Sequence, residues 1–123
     1  VSFLDQVSID QIPSYASKAS CLFLSLRDRE IFSKTVPAKL QSYMALQKPI
    51  IAVLKGDGAE IIKDSNCGFV EENYNYNNLA KMIQKISNMS EEELDNLGKN
   101  GRSYYDTHFS IEKRKQQLYN LIK

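Results

Sequence analysis

The stretch KTVPAK, residues 34–39, contains the residue types that bind phosphate at the start of a helix. Pro37 suits the first helical position because it has no N–H group to leave unpaired. The neighbouring backbone N–H groups would be free, and Lys39 would add a full positive charge one turn into the helix. The stretch therefore predicts an anion site, with phosphate as the expected anion. The alternative is an ordinary helix start with a solvated lysine.

Other residues that could take part in binding or catalysis give weaker signals. The stretch KGDG at residues 55–58 could approach a phosphate closely, but its two glycines are equally good turn formers. A catalytic dyad would have to centre on His108, the single histidine, whose place between two predicted helices favours a helix-end contact instead. Cys21 and Cys67 lack the CxxC spacing of a metal or redox site and are interpreted as buried free thiols.

Apolar runs and helical spacings predict the elements that would position these residues. The predicted strands cover residues 1–7, 21–26, 49–54 and 69–72. Helices are predicted between the strands, and everything past residue 77 has a helical pattern. Helix starts are predicted at the caps Ser8, Ser90 and Ser110, and a helix end at Asn66 and Gly68.

Strands that alternate with helices of about ten residues predict an α/β fold with a parallel sheet. In such sheets ligands lie beyond the carboxyl ends of the strands, and KTVPAK follows a strand at that edge. We expect residues 1–76 to supply the β/α units and residues 77–123 the carboxyl-terminal helices. The first strand would lie at an exposed edge, which predicts self-association through it.

Composition limits the class of protein. The 123 residues are 42% hydrophobic and 25% charged with a net charge of +1, so an ordinary globular domain is indicated and no nucleic-acid partner is implied. There is no apolar run near the length of a membrane span and no secretion signal at the amino terminus, so a cytoplasmic location is expected. The chain opens at Val1, inside a predicted strand, and is expected to be part of a longer protein.

Six phrases in order resemble the carboxyl-terminal, donor-binding domain of family-four (group 1) glycosyltransferases, especially the bacterial branch that builds surface polysaccharides. The phrases are VSFLDQV, IPSYASKASCLFLSL, TVPAKLQSYMALQKPIIA, GAEIIKDSNCGFV, NLAKMIQKI and LGKNGRSYYDTHFS. The resemblance implies a Rossmann-like three-layer domain of the GT-B type. It also implies transfer from a nucleotide-sugar with retention of configuration, and no metal or other cofactor.

The resemblance also assigns the site residues. It implies donor diphosphate contacts at Thr35, Val36 and Lys39, a ribose contact at Ser42, a base contact at Val7, and donor-sugar contacts at Glu30, Ser33 and Lys34. Aligned on the family pattern, Ser42 and Lys34 stand where two glutamates are usual, and Gln47 stands where a glycine is usual. A serine hydroxyl binds ribose more weakly than a carboxylate does. No residue is assigned to catalysis.

The resulting hypothesis is the donor-binding part of a retaining glycosyltransferase that extends a bacterial surface glycan. It would act on the cytoplasmic side, where the basic last helix could lie against the inner membrane face. The amino-terminal acceptor domain would be its missing partner, and the fragment alone would be inactive because it cannot position an acceptor. The alternative is a non-catalytic α/β nucleotide-binding or assembly module that has lost the motif glutamates.

Overall fold

A computed structural model of the chain describes residues 18–26 and 38–122. These two ranges contain three strands: β1 (Leu22–Ser25), β2 (Ile50–Val53) and β3 (Gly68–Glu71). Within the same ranges, five helices surround or follow the strands: α1 (Ala38–Ala45), α2 (Asp57–Ser65), α3 (Tyr76–Ser87), α4 (Glu91–His108) and α5 (Ile111–Ile122). The predicted strand at residues 1–7, the helix after it and residues 27–37 lie outside the described residues.

The three strands form one parallel sheet in the order β1-β2-β3, so each described strand pairs with the next one along the chain. Leu22 pairs with Ile50, and Ile50 pairs with Gly68. All four residues of β2 are buried because helices cover both faces of a central parallel strand. The predicted α/β, Rossmann-like fold class is confirmed.

The core lies between the sheet and helices α1, α2 and α4. Leu40 and Met44 of α1 and Ile62 of α2 are completely buried, as is Cys67 just before β3. Lys39 and Ser42 are exposed on α1. Helix α1 therefore anchors one side in the core and presents the other to solvent. Cys67 is a buried free thiol as predicted, but the prediction was wrong for Cys21, which is only half-buried just before β1.

Helix α4 lies against the chain that joins α1 to β2. A Cβ atom on Gly98 would lie 2.3 Å from the carbonyl oxygen of Gln47, and one on Gly101 would lie 3.1 Å from the Cβ of Cys67. One turn away, Arg102 Nη1 donates a hydrogen bond of 2.7 Å to the carbonyl oxygen of Ala45 at the end of α1. The glycines allow this close approach, and the arginine satisfies a carbonyl that the helix end leaves unpaired.

Helix α5 is amphipathic by sequence, and its apolar side chains Ile111, Leu118 and Leu121 are exposed by 60% or more. No helix in residues 18–26 and 38–122 has the length and apolar character needed to cross a membrane.

Gln47 has a left-handed backbone conformation, with φ of 60°. It follows the end of α1, where a glycine commonly takes this conformation without steric cost. This backbone conformation accounts for the glycine that the family pattern usually has at the position of Gln47. Gln47→Gly is expected to raise the free energy of unfolding by about 1 kcal/mol, because relief of the left-handed strain exceeds the entropy lost by a more flexible unfolded chain.

Denaturant unfolding of Gln47→Gly beside the unchanged chain measures this effect. The matched control is Asn66→Gly, since Asn66 has φ of 54° at the end of α2 but asparagine tolerates that conformation well. The control should gain less than the Gln47 variant. A Gln47 variant less stable than the unchanged chain would show that the glutamine side chain contributes more than its backbone conformation costs.

Candidate functional site

The carboxyl ends of the three strands lie at one edge of the sheet, where ligands bind in folds of this class. The ladder continues one residue past the strands: Leu26 N–H donates to the Val53 carbonyl at 3.0 Å, and Leu54 N–H donates to the Glu71 carbonyl at 3.2 Å. The loops that follow β1, β2 and β3 therefore start from fixed points at the same edge. We call this the carboxyl edge.

Glu71, the last residue of β3, is a buried carboxylate at the carboxyl edge, with 6% of its surface exposed. One oxygen accepts hydrogen bonds from the backbone N–H groups of Asn73 (2.7 Å) and Asn75 (3.1 Å). The other accepts from the side-chain amide of Asn78 at 3.3 Å. These bonds, first of all the one from Asn75, hold the pKa of Glu71 below its usual value. The ionised carboxylate organises the turn between β3 and α3.

Tyr74 lies within that turn and has a left-handed backbone conformation, with φ of 57°. Its hydroxyl donates a hydrogen bond of 2.7 Å to the carbonyl oxygen of Leu26, which directly follows β1. The ammonium of Lys55, after β2, lies 5.7 Å from the centre of the Tyr74 ring. Tyr74 follows β3, and its side chain contacts Leu26 after β1 and Lys55 after β2. It therefore connects the residues that follow all three strands. Neither Glu71 nor Tyr74 was predicted from the sequence to be a site residue.

The KGDG stretch lies at the same edge, between β2 and α2. Gly56 has φ of 86° and precedes the first helical residue, so it forms the turn there. Gly58 is buried in the first turn of α2. Asp57 and Glu60 place negative charge at this helix start, which already complements the helix dipole. Of the two alternatives for this stretch, the geometry favours the turn over a phosphate contact.

Lys39 and Ser42 are the predicted site residues that the structure describes. They are three residues apart on α1, a spacing that places side chains on neighbouring positions of one helix face, and both are exposed. The start of α1 is at the carboxyl edge because the helix connects the parallel strands β1 and β2. The remaining predicted site residues are outside the described ranges and stay predictions: Val7, Glu30, Ser33, Lys34, Thr35 and Val36.

His108 is the last residue of α4, and its ring lies 4.1 Å from that of Tyr104, centroid to centroid. The predicted helix-end contact is therefore observed. Burial raises the pKa of the Cys21 and Cys67 thiols, which disfavours the reactive thiolate at both. Within residues 18–26 and 38–122, no group of histidine, cysteine and carboxylate side chains is placed to hold a metal ion.

The sequence of the chain is similar to those of known proteins. A family model described as "Glycosyl transferases group 1" matches residues 1–104. The chain is 32% identical over 113 residues to an uncharacterized glycosyltransferase of Methanocaldococcus jannaschii. That similarity covers 92% of the chain but 30% of the relative, so the chain spans under a third of the length of this protein. No solved structure matches the chain.

Proposed function

The chain belongs to the group 1 glycosyltransferases, and from that premise we propose that it forms the donor-binding part of a retaining enzyme. Its donor would be a nucleotide-sugar, and its product a growing bacterial surface glycan. The family match carries this proposal, and the parallel sheet supports it because helix α1 starts at the edge where such folds bind nucleotides. No metal or cofactor is part of the proposal.

We place the chain in the carboxyl-terminal domain, with residues 1–76 supplying β/α units and residues 77–123 supplying helices. The rest of the enzyme would include the acceptor-binding domain, in line with the small share of the relative that the chain spans. Transfer requires an acceptor hydroxyl positioned beside the donor. The chain alone is therefore expected to bind donor without turning it over. Its place of action would be the cytoplasm or the inner membrane face.

Lys39 and Ser42 are the described residues of the proposed donor site. The positive charge of Lys39 near the start of α1 would attract the diphosphate, together with the backbone N–H groups of Thr35 and Val36. Ser42, one turn further along the exposed side of α1, would contact the ribose. Glu30, Ser33 and Lys34 would contact the donor sugar, and Val7 the base.

A nucleoside diphosphate should shift the backbone amide signals of Thr35, Val36 and Ala38 more than any others, because free N–H groups at a helix start bind anions. Amide titrations with uridine and guanosine diphosphates measure this, and uridine alone should have little effect. The dissociation constant should be about 1 mM, since one helix start and one lysine offset only part of the cost of association. Lys39→Ala should weaken binding, and Ser42→Glu should strengthen it by adding a carboxylate for the ribose.

Lys81→Ala is the matched control, because Lys81 is exposed on α3 and belongs to no part of the proposed site. It should leave the affinity unchanged. Shifts confined to α4 and α5, or none near Ala38 at about ten times the expected dissociation constant, would contradict the proposal. They would favour the alternative of a non-catalytic α/β module, with which Ser42 and Lys34 at the usual glutamate positions are compatible.

A further inference from the structure

The turn that follows β3 is organised by a buried charge, the carboxylate of Glu71. The Glu71 carboxylate accepts hydrogen bonds from backbone N–H groups on both sides of Tyr74, at Asn73 and Asn75. The Asn75 side chain in turn accepts from the N–H groups of Asn77 and Asn78 and caps α3. Tyr74 therefore lies between two anchored residues, which fixes the position of its backbone.

From this position the Tyr74 hydroxyl reaches the carbonyl oxygen of Leu26 at 2.7 Å. Because β2 lies between β3 and β1 in the sheet, the turn after β3 and the Tyr74 side chain together cross the carboxyl end of the central strand, where β3 and β1 are about 10 Å apart at the usual strand spacing. The N–H group of Leu26 donates to Val53 at 3.0 Å. Leu26 is thus held at its N–H group by β2 and at its carbonyl group by Tyr74.

We propose that Tyr74 is a positioning residue for donor binding, because it fixes Leu26 at the point where the chain enters the residues that contact the donor. This inference rests on the proposed function, in which Glu30, Ser33, Lys34, Thr35 and Val36 follow Leu26 closely along the chain. Tyr74 itself touches no donor group in this proposal. It acts through the backbone of Leu26.

The backbone of Tyr74 supports a role for its side chain. A tyrosine at φ of 57° is sterically unfavourable, whereas glycine would adopt this conformation without cost. The local turn therefore gains nothing from a tyrosine at this position. The gain lies in the contacts of the side chain, with the Leu26 carbonyl on one strand end and Lys55 on the next.

Tyr74→Phe tests the inference, because it removes the hydroxyl and keeps the ring. Hydrogen–deuterium exchange of the Leu26 amide, which belongs to the residue whose carbonyl Tyr74 holds, should accelerate about fivefold, the effect of one lost neutral hydrogen bond, while exchange in α4 stays unchanged. The affinity for uridine diphosphate should fall by about the same factor. Tyr76→Phe is the matched control: Tyr76 is 71% exposed, lies two residues away and should leave both measurements unchanged.

Each outcome decides a separate point. Equal exchange rates at Leu26 in the Tyr74 and Tyr76 variants would overturn the inference. Exchange in α4 of Tyr74→Phe that accelerates as much as exchange at Leu26 would also overturn it, because it would indicate a general loss of stability. Unchanged affinity in Tyr74→Phe, when the unaltered chain binds the nucleotide, would also overturn it. Failure of the unaltered chain to bind would overturn the proposed function and the donor role of Tyr74, while the exchange rates would still show whether Tyr74 holds Leu26.

Discussion

Gly98→Ala is expected to lower the free energy of unfolding by about 3 kcal/mol. A Cβ atom at this position would lie 2.3 Å from the carbonyl oxygen and 2.8 Å from the carbonyl carbon of Gln47, both backbone atoms. Helix α4 would have to move away from the turn after α1, which would weaken the hydrogen bond from Arg102 to Ala45. A loss of stability would separate the effect of close packing from that of helix propensity, because alanine in place of glycine within an exposed helix would stabilise the helix by about 1 kcal/mol.

Chemical denaturation of both chains gives the difference directly. Asn96→Ala is the control, because Asn96 is exposed on the same helix and its change to alanine should be neutral or slightly stabilising. A Gly98 variant as stable as the unaltered chain would mean that α4 can shift away from Gln47 without loss. The close packing of α4 on α1 would then contribute little to stability.

Met44→Ala should lower the free energy of unfolding by about 3 kcal/mol and also weaken nucleotide binding. Met44 is completely buried, so its truncation leaves a cavity beneath α1. The same helix presents Lys39 and Ser42 to solvent, and a loosened helix holds them less firmly. Unfolding by denaturant and titration with uridine diphosphate measure the two effects.

Two variants serve as controls for Met44→Ala. Ser42→Ala changes an exposed residue of the same helix and should alter stability by no more than about 0.5 kcal/mol while it still weakens binding. Met44→Leu keeps the volume and should cost less than about 1.5 kcal/mol. Loss of stability in Ser42→Ala as large as in Met44→Ala would contradict the assignment of separate core and ligand faces to α1.

The sequence predicted the elements that depend on local signals. The central strand was expected at residues 49–54 and lies at Ile50–Val53. The capping box of Ser90 and Glu93 is present, and the Ser110 hydroxyl accepts a hydrogen bond from the Lys113 N–H group at 3.1 Å. A short strand or a helix cap is formed by residues that lie close together along the chain, so the sequence alone is enough to predict it.

The organisation of the carboxyl edge was not predicted, because it depends on contacts between distant residues. Tyr74 and Leu26 are 48 residues apart, and the sequence around either one gives no sign of the other. Glu71 lay inside the predicted strand 69–72 with no role assigned to it, and only the folded turn brings three donors to its carboxylate. The close approach of Gly98 to Gln47 was missed for the same reason.

The order of the strands has a consequence for how the domain assembles during synthesis. Since each described strand pairs with the next along the chain, the sheet can grow by one strand and one helix at a time as the polypeptide leaves the ribosome. Helix α4 comes last among the elements that cover the core, and it contacts the turn after α1 made much earlier. Until α4 emerges, Met44 and Cys67 remain partly uncovered, and during that interval the nascent chain stays open to aggregation and chaperone binding.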